Sequence, residues 1–229
     1  MQRFLIVDND SDDGTLDLLL SEPDVHVFFT AERYSVGNYG LRWVNALLSS
    51  HAIGHWTLTV DLDELLVYPA CEETSLGRLA ASLERRGEEA VVAFMLDMYS
   101  DLAICDTTYL PGRPFLDACA YFDGDDYEWD PAHPLYRTVP LSGGPRRRLF
   151  WSADSPFGRP PFLPKVPLAK WRAGLAYTVS THYLDGARLS GLTAALLHFK
   201  FFSDFVTRAA EEAQRGEHWQ NAAEYAVYA

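Results

Sequence analysis

Asp61-Leu62-Asp63 places two carboxylates one residue apart, directly after the apolar stretch 56–60. In extended backbone, side chains two residues apart point to the same side. Both acids can therefore face one hard cation, which takes oxygen ligands and leaves positions open for phosphate oxygens. A divalent ion there would offset the charge of the cluster and that of a diphosphate. The plain alternative is a solvated acidic turn, since so short a pattern arises by chance. A second cluster, DNDSDDG at 8–14, invites comparison with a calcium loop. Counting from Asp8 puts Asp13 where that loop needs its glycine and Leu19 where it needs a bidentate glutamate, which excludes the reading. Asp8, Asn9 or Asp10 could instead accept hydrogen bonds from a nucleobase or ribose, or the segment could be a solvated turn that caps the next helix through Ser11.

The elements around these clusters decide whether they meet. Residues 3–8 read as a buried strand ending in acid, and Leu16, Leu19 and Leu20 follow at helical spacing. Residues 25–30 are again strand-like, and 37–50 read as a helix with Leu41, Val44, Leu47 and Leu48 on one face. Trp56, Leu58 and Val60 alternate with polar residues; a helix over 75–86 and a strand over 90–96 complete the front half. Strands alternating with helices predict a mostly parallel, doubly wound α/β sheet. Ligands of such sheets sit beyond the carboxyl ends of the strands, where both clusters fall. From 97 to 167 the pattern loosens, and most of the 13 prolines lie there, which predicts loops and short antiparallel pieces. A strand over 175–184, a periodic stretch over 189–202 and an amphipathic helix over 205–215 follow.

Composition bounds the partners. The 229 residues, 48% hydrophobic and 14% aromatic, suit one globular domain, and a charged fraction of only 22% excludes disorder as the main state. A net charge of −13 and a pI near 4.8 repel a phosphate backbone, so no nucleic acid is expected as a partner and any phosphate must be held locally. Cys71, Cys105 and Cys119 form no CxxC pair and read as ordinary thiols of a reducing compartment. The apolar run at the start is too short for a signal peptide, and the uncharged stretch 43–60 carries too many polar groups for hydrocarbon. A cytoplasmic protein without a transmembrane segment is expected.

Taken in order, RFLIVDNDSDDGT (3–15), WTLTVDLDELLVYP (56–69), LSGGPRRRLF (141–150), PKVPLAKW (164–171), STHYL (180–184) and LLHFKF (196–201) resemble the glycosyltransferase family 2-like proteins of GT-A fold. The resemblance spans nearly the whole chain. It implies one Rossmann-like α/β domain over 1–229, with a mixed, mostly parallel sheet flanked by helices. Residues 1–100 would be the nucleotide-sugar half, and 101–229 the acceptor half with C-terminal helices. The implied activity is transfer of a sugar from a nucleotide-diphosphate donor, of UDP type before others, to a glycan or other hydroxyl acceptor, with inversion and with Mn²⁺ or Mg²⁺.

Residue by residue, Asp61 and Asp63 correspond to the metal-binding DxD, with Asp61 also at the nucleotide, and Asp8, Asn9 and Asp10 to the nucleoside loop. Gly143 and Gly144 resemble the glycine-rich turn near donor and acceptor, where backbone can approach a ligand closely. His198 would complete the metal shell, with His182 as rival; a histidine among apolar residues is otherwise a hydrogen-bonded core residue. Arg146, Arg147 and Arg148 form a basic run; on a strand, Arg146 and Arg148 would face one side and could hold diphosphate or acceptor oxygens. Otherwise the run is a solvated basic turn paired with the acidic surface. Inversion needs a carboxylate base, and Asp97, Asp123, Asp125, Asp126 and Glu128 are open candidates. Relatives begin with a further strand and helix, so the chain reads as N-terminally truncated, with a sheet edge exposed. A degenerate binding module is therefore a second reading. A third, a haloacid-dehalogenase-type phosphatase, rests on DLDELLV, where Leu65 departs from the motif's Thr or Val.

Overall fold

The computed structural model describes residues 3–129, 141–151 and 162–229, with the side chains of 219 and 220 left aside. In chain order the elements are β1 (Phe4–Asp8), α1 (Thr15–Ser21), β2 (Val25–Phe29), α2 (Leu41–His51), β3 (Trp56–Leu58), β4 (Glu64–Val67), α3 (Leu76–Arg85), β5 (Ala90–Asp97) and β6 (Tyr127–Trp129). There follow β7 (Leu141–Gly143), α4 (Gly144–Phe150), β8 (Pro164–Lys170), β9 (Ala176–Tyr177), β10 (Leu184–Asp185), β11 (Leu189–His198), α5 (Phe205–Arg215) and α6 (Trp219–Tyr228).

The architecture is mixed α/β, with a mixed sheet flanked by helices. Five strands run in the order β3-β8-β5-β11-β4, and only β5 and β11 pair in parallel; the other three pairings are antiparallel. A mostly parallel sheet is thus not what this sheet shows. The reason lies in β8, which comes from the end of the proline-rich stretch and inserts antiparallel between β3 and β5. A central strand with Pro164 and Pro167 lacks two ladder donors, and the β5–β8 register shifts between Val91 and Ala93. The parallel pair β1–β2 forms a sheet of its own, so the outer edges of β1 and β3 pair with no described strand.

Alternation along β5 sorts the core into two layers. Ala90 and Val92 pack with Leu41 and Leu48 of α2, while Val91, Ala93 and Met95 pack with Leu79 and Leu83 of α3. Leu83 is fully buried, which contributes about 1.5–3 kcal/mol. Ser75 caps α3, its hydroxyl accepting from the Arg78 N–H at 3.4 Å. Other boundaries moved. α2 begins at Leu41 because Asn38, Tyr39 and Gly40 all take positive φ. α1 follows Gly14 in the left-handed region, and the expected cap Ser11 instead donates its N–H to the Asp8 carboxylate at 3.3 Å. The strand expected over 175–184 is reduced to β9 and β10, which pair antiparallel. The arginine run lies on the short helix α4 and not on a strand, because Pro145 sits at its first turn with a fixed helical φ.

Candidate functional site

The strand register gathers the site. His198 lies opposite Asp97 on β5 and opposite Glu64 on β4, so three strand ends bring polar side chains into one row. The turn carrying Asp61 and Asp63 is tied down by its own bonds. The Glu64 N–H donates to the Asp61 carbonyl at 3.1 Å, the Asp61 N–H to the Glu64 carboxylate at 3.0 Å, and the Phe199 N–H to the Asp63 carbonyl at 2.9 Å.

Two ionic assemblies meet there. In the first, Lys165 of β8 reaches Asp61 Oδ2 at 2.6 Å and also donates to Glu64. Lys165 and Glu64 are each 4% exposed. Burial works against the Lys165 ammonium, but the Asp61 and Glu64 carboxylates outweigh it and raise its pKa above the usual lysine range. In the second, Asp97 receives Arg146 Nε at 2.7 Å on one oxygen and His198 Nδ1 at 2.6 Å on the other, while His198 Nε2 faces Asp63 Oδ2 at 3.4 Å. Burial opposes charge on Asp97, yet Arg146 and His198 hold its carboxyl well below the usual range. Burial likewise opposes charge on His198, and its bonds to Asp63 and Asp97 raise it overall. Arg146 continues the network to Glu224 at 3.5 Å, which Lys200 approaches at 3.9 Å with its ammonium over the rings of Tyr225 and Tyr228.

A cavity of about 2040 Å³ opens on this network; Asn9, Asp61, Glu64, Arg146, Lys165 and His182 are among its lining residues. The two acidic segments therefore reach one cavity. Within the first, Asn9 spends its amide on the carbonyls of Thr30 and Glu32, both at 2.9 Å, and so ties the loop to the end of β2. Asp8 is 2% exposed, and its Oδ2 has no partner among the described residues. Asp10 is exposed, with φ at 60°.

His182 stands apart from the Asp63–His198 pair: its Nδ1 lies 2.7 Å from the Pro164 carbonyl, and burial, helped by Lys165, pulls its pKa down to about 3. Arg148 binds Asp123 at 3.1 and 3.2 Å and Arg147 binds Glu128 at 2.6 Å, so the three arginines serve three different carboxylates. Asp123 also accepts from the Tyr99 hydroxyl at 2.9 Å, whereas Asp125 and Asp126 are exposed. Of the base candidates, Asp97 has both oxygens bound and 1% exposure, the geometry of an anchor for Arg146 and His198. Gly143 serves a close approach of backbone to backbone, since a Cβ there would lie 2.4 Å from the Asp126 carbonyl oxygen, and Gly144 lies against the Tyr127 ring.

The donor set bears on a divalent cation. Among the described residues no group of three or more His, Cys, Asp and Glu side chains converges to hold one, and Asp61 is engaged by Lys165. Asp63 and His198 do supply an oxygen and a nitrogen 3.4 Å apart. To serve an ion that keeps water and phosphate oxygens as its remaining ligands, His198 Nε2 would have to give up the proton that its two carboxylate neighbours favour.

Sequence reasoning missed Lys165, Lys200 and Glu224. One signal was present: the chain has three lysines, at 165, 170 and 200, and the first sits alone in the apolar run 162–169. Among the described residues no helix is long and apolar enough to cross a membrane. No family model matches the chain, and no curated protein matches it.

Proposed function

We propose that the chain is a glycosyltransferase of GT-A type that uses a nucleotide-diphosphate sugar, of UDP type before others, together with Mn²⁺ or Mg²⁺. One observation carries the reading: Arg146, 4% exposed and clamped by Asp97, lines the cavity with its Nη2 unpartnered among the described residues. A buried guanidinium with one nitrogen still lacking an acceptor suits an anionic group entering from the cavity. Support also comes from the DxD turn, whose Asp61 lines the cavity and whose Asp63 meets His198, itself bound to Asp97.

As a sugar leaves its diphosphate, negative charge grows on the departing oxygen. The guanidinium of Arg146 is preorganised to meet it, since Asp97 fixes its direction in advance. Lys165 fixes Asp61, and with it the rim of the cavity. Asp63 and His198 would hold the cation, which when bound supplies further stabilisation of diphosphate charge. Of the base candidates Asp125 and Asp126 are exposed, while Asp123 is held by Arg148 and Tyr99; proton removal from the acceptor hydroxyl would fall to one of these three.

The test is a thermal-shift titration with UDP and Mn²⁺. The melting temperature of the intact protein should rise, and Asp63→Ala with His198→Ala should remove the rise. No rise in the intact protein would refute the proposal. Binding without turnover of any sugar nucleotide would instead mark a binding module, and phosphate release from generic phosphoesters would mark a phosphatase.

A further inference from the structure

β1 and β3 each have one edge that pairs with no described strand. Phe4 N–H donates to the Asp24 carbonyl at 2.9 Å and Thr30 N–H to the Asp8 carbonyl at 3.0 Å. With Phe4 opposite Val25 in parallel register, the main-chain groups of Phe4, Ile6 and Asp8 turn toward β2, and those of Leu5 and Val7 turn away from it. On β3, Thr59 N–H donates to the Pro167 carbonyl and Trp171 N–H to the His55 carbonyl, both at 2.8 Å. Residues 55, 57 and 59 therefore face β8, and the main-chain groups of Trp56 and Leu58 face the other way.

These two edges, unpaired among the described residues, line the same cavity of about 2040 Å³. Small-molecule sites take roughly 300–1,000 Å³, so this space exceeds what one such ligand needs. Its walls above and below are apolar, with Val44 and Leu48 of α2 on one face of the sheet and Leu76 and Ala80 of α3 on the other.

The chemistry of the walls specifies the occupant. Ladder groups on two edges of one cavity need donors and acceptors, which an extended polypeptide supplies on both of its sides. Apolar walls on both faces call for a strand without charged side chains, as in strands buried on both faces. Before its terminal Asp8, β1 carries no lysine, proline or bulge to blunt a permanent edge, and Phe4 and Leu5 are 46% and 36% exposed. A two-stranded sheet by itself is marginal in water.

We propose that the slot between β1 and β3 is a receptor for one extended, uncharged apolar polypeptide strand, which pairs with both edges and joins the two sheets into one. This is strand addition from both sides at once. The same cavity reaches Asn9, Asp61 and Lys165, so the inserted strand would also wall the candidate site. The inference stands independently of the glycosyltransferase reading, because it uses main-chain groups and apolar walls alone.

The probe is a synthetic peptide of seven alternating valines and isoleucines with lysine tails, added to the intact protein and followed by amide hydrogen exchange. Exchange should slow at Leu5, Val7, Trp56 and Leu58. A peptide N-methylated at alternate residues, which removes its donors on one edge, should bind at least about tenfold more weakly. Leu5→Pro deletes a slot-facing N–H without touching the β1–β2 ladder, and should weaken peptide binding while protection in β2 stays unchanged. If that variant does not fold, the N-methylated peptide decides alone. Equal binding of the two peptides, no binding of either, or protection confined to the outer edge of β2 or to β4 overturns the proposal. Protection that rises with protein concentration without peptide overturns it too, since a second copy would then fill the slot.

Discussion

Replacing Lys165 by methionine keeps the length and apolar stem of the side chain and deletes one buried ammonium. Glu64, 4% exposed, then keeps a carboxylate whose remaining recorded partner is the Asp61 N–H. Removing one member of a buried ion pair costs about 3–5 kcal/mol, because the other charge stays buried without compensation. Asp61 adds little, since its side chain is 64% exposed and water takes over from the ammonium. For a chain of this size, roughly 2–4 °C of melting temperature goes with each kcal/mol, so a fall of roughly 6–20 °C is expected. Urea unfolding of Lys165→Met, Glu64→Gln and the double variant at neutral pH forms the cycle that reads the coupling. The double variant should recover more than half of the loss, because neutral glutamine leaves no buried charge behind. A loss below about 1 kcal/mol in Lys165→Met, or no recovery in the double variant, would refute the reasoning.

Asp97→Asn should cost about 3–5 kcal/mol in urea unfolding and lower the pH at which the His198 ring titrates by NMR; an unchanged His198 titration would show that Asp97 does not hold its proton. The two buried histidines give pH dependences of opposite sign. Unfolded His182 binds a proton near 6.5 and folded His182 only near 3, so the unfolded state holds more protons between them and stability falls as pH drops through that window. His198, raised in the folded state, contributes stability that is present below 6.5 and lost as pH rises through its folded value. His182→Gln should therefore flatten the acid limb of a stability profile and leave the neutral limb as it was, whereas an unchanged acid limb would contradict the burial argument. Burial pushes the Cys119 thiol to about 11, and Cys105 is exposed, so a native thiol titration should label Cys105 first and Cys119 only on unfolding; equal rates would disprove the placement. Gly143→Ala, with φ at 140° and a Cβ 2.4 Å from the Asp126 oxygen, should lower stability by about 2 kcal/mol or more in the same assay, and a neutral effect would count against the close β6–β7 crossing.

Much of the local structure was legible. The strands read over 3–8 and 90–96 correspond to β1 and β5, and the helix read over 75–86 to α3, whose cap at Ser75 the structure added. Where the backbone left the ordinary regions, at Asn38, Tyr39 and Gly14, the boundaries shifted, because positive φ is a property of the packed chain and only weakly of residue type. Parallel order was the larger miss. Alternating strands and helices state what the elements are, but the direction of β8 depends on a long connection whose course no periodicity records.

The candidate site divides in the same way. Residue types and spacing marked Asp61 and Asp63 as groups with chemistry and placed the acidic segments at strand ends, and the family resemblance added His198 and Asp97. The tertiary structure alone decided which partners they have. Lys165 lies 104 positions from Asp61, and Asp97 lies 49 from Arg146 and 101 from His198; such pairs form through strand register and the course of β8. A sequence fixes the charge a side chain can carry. Whether that charge survives burial, and whether it faces a cation or a lysine, is set by neighbours that only folding brings within a few ångströms.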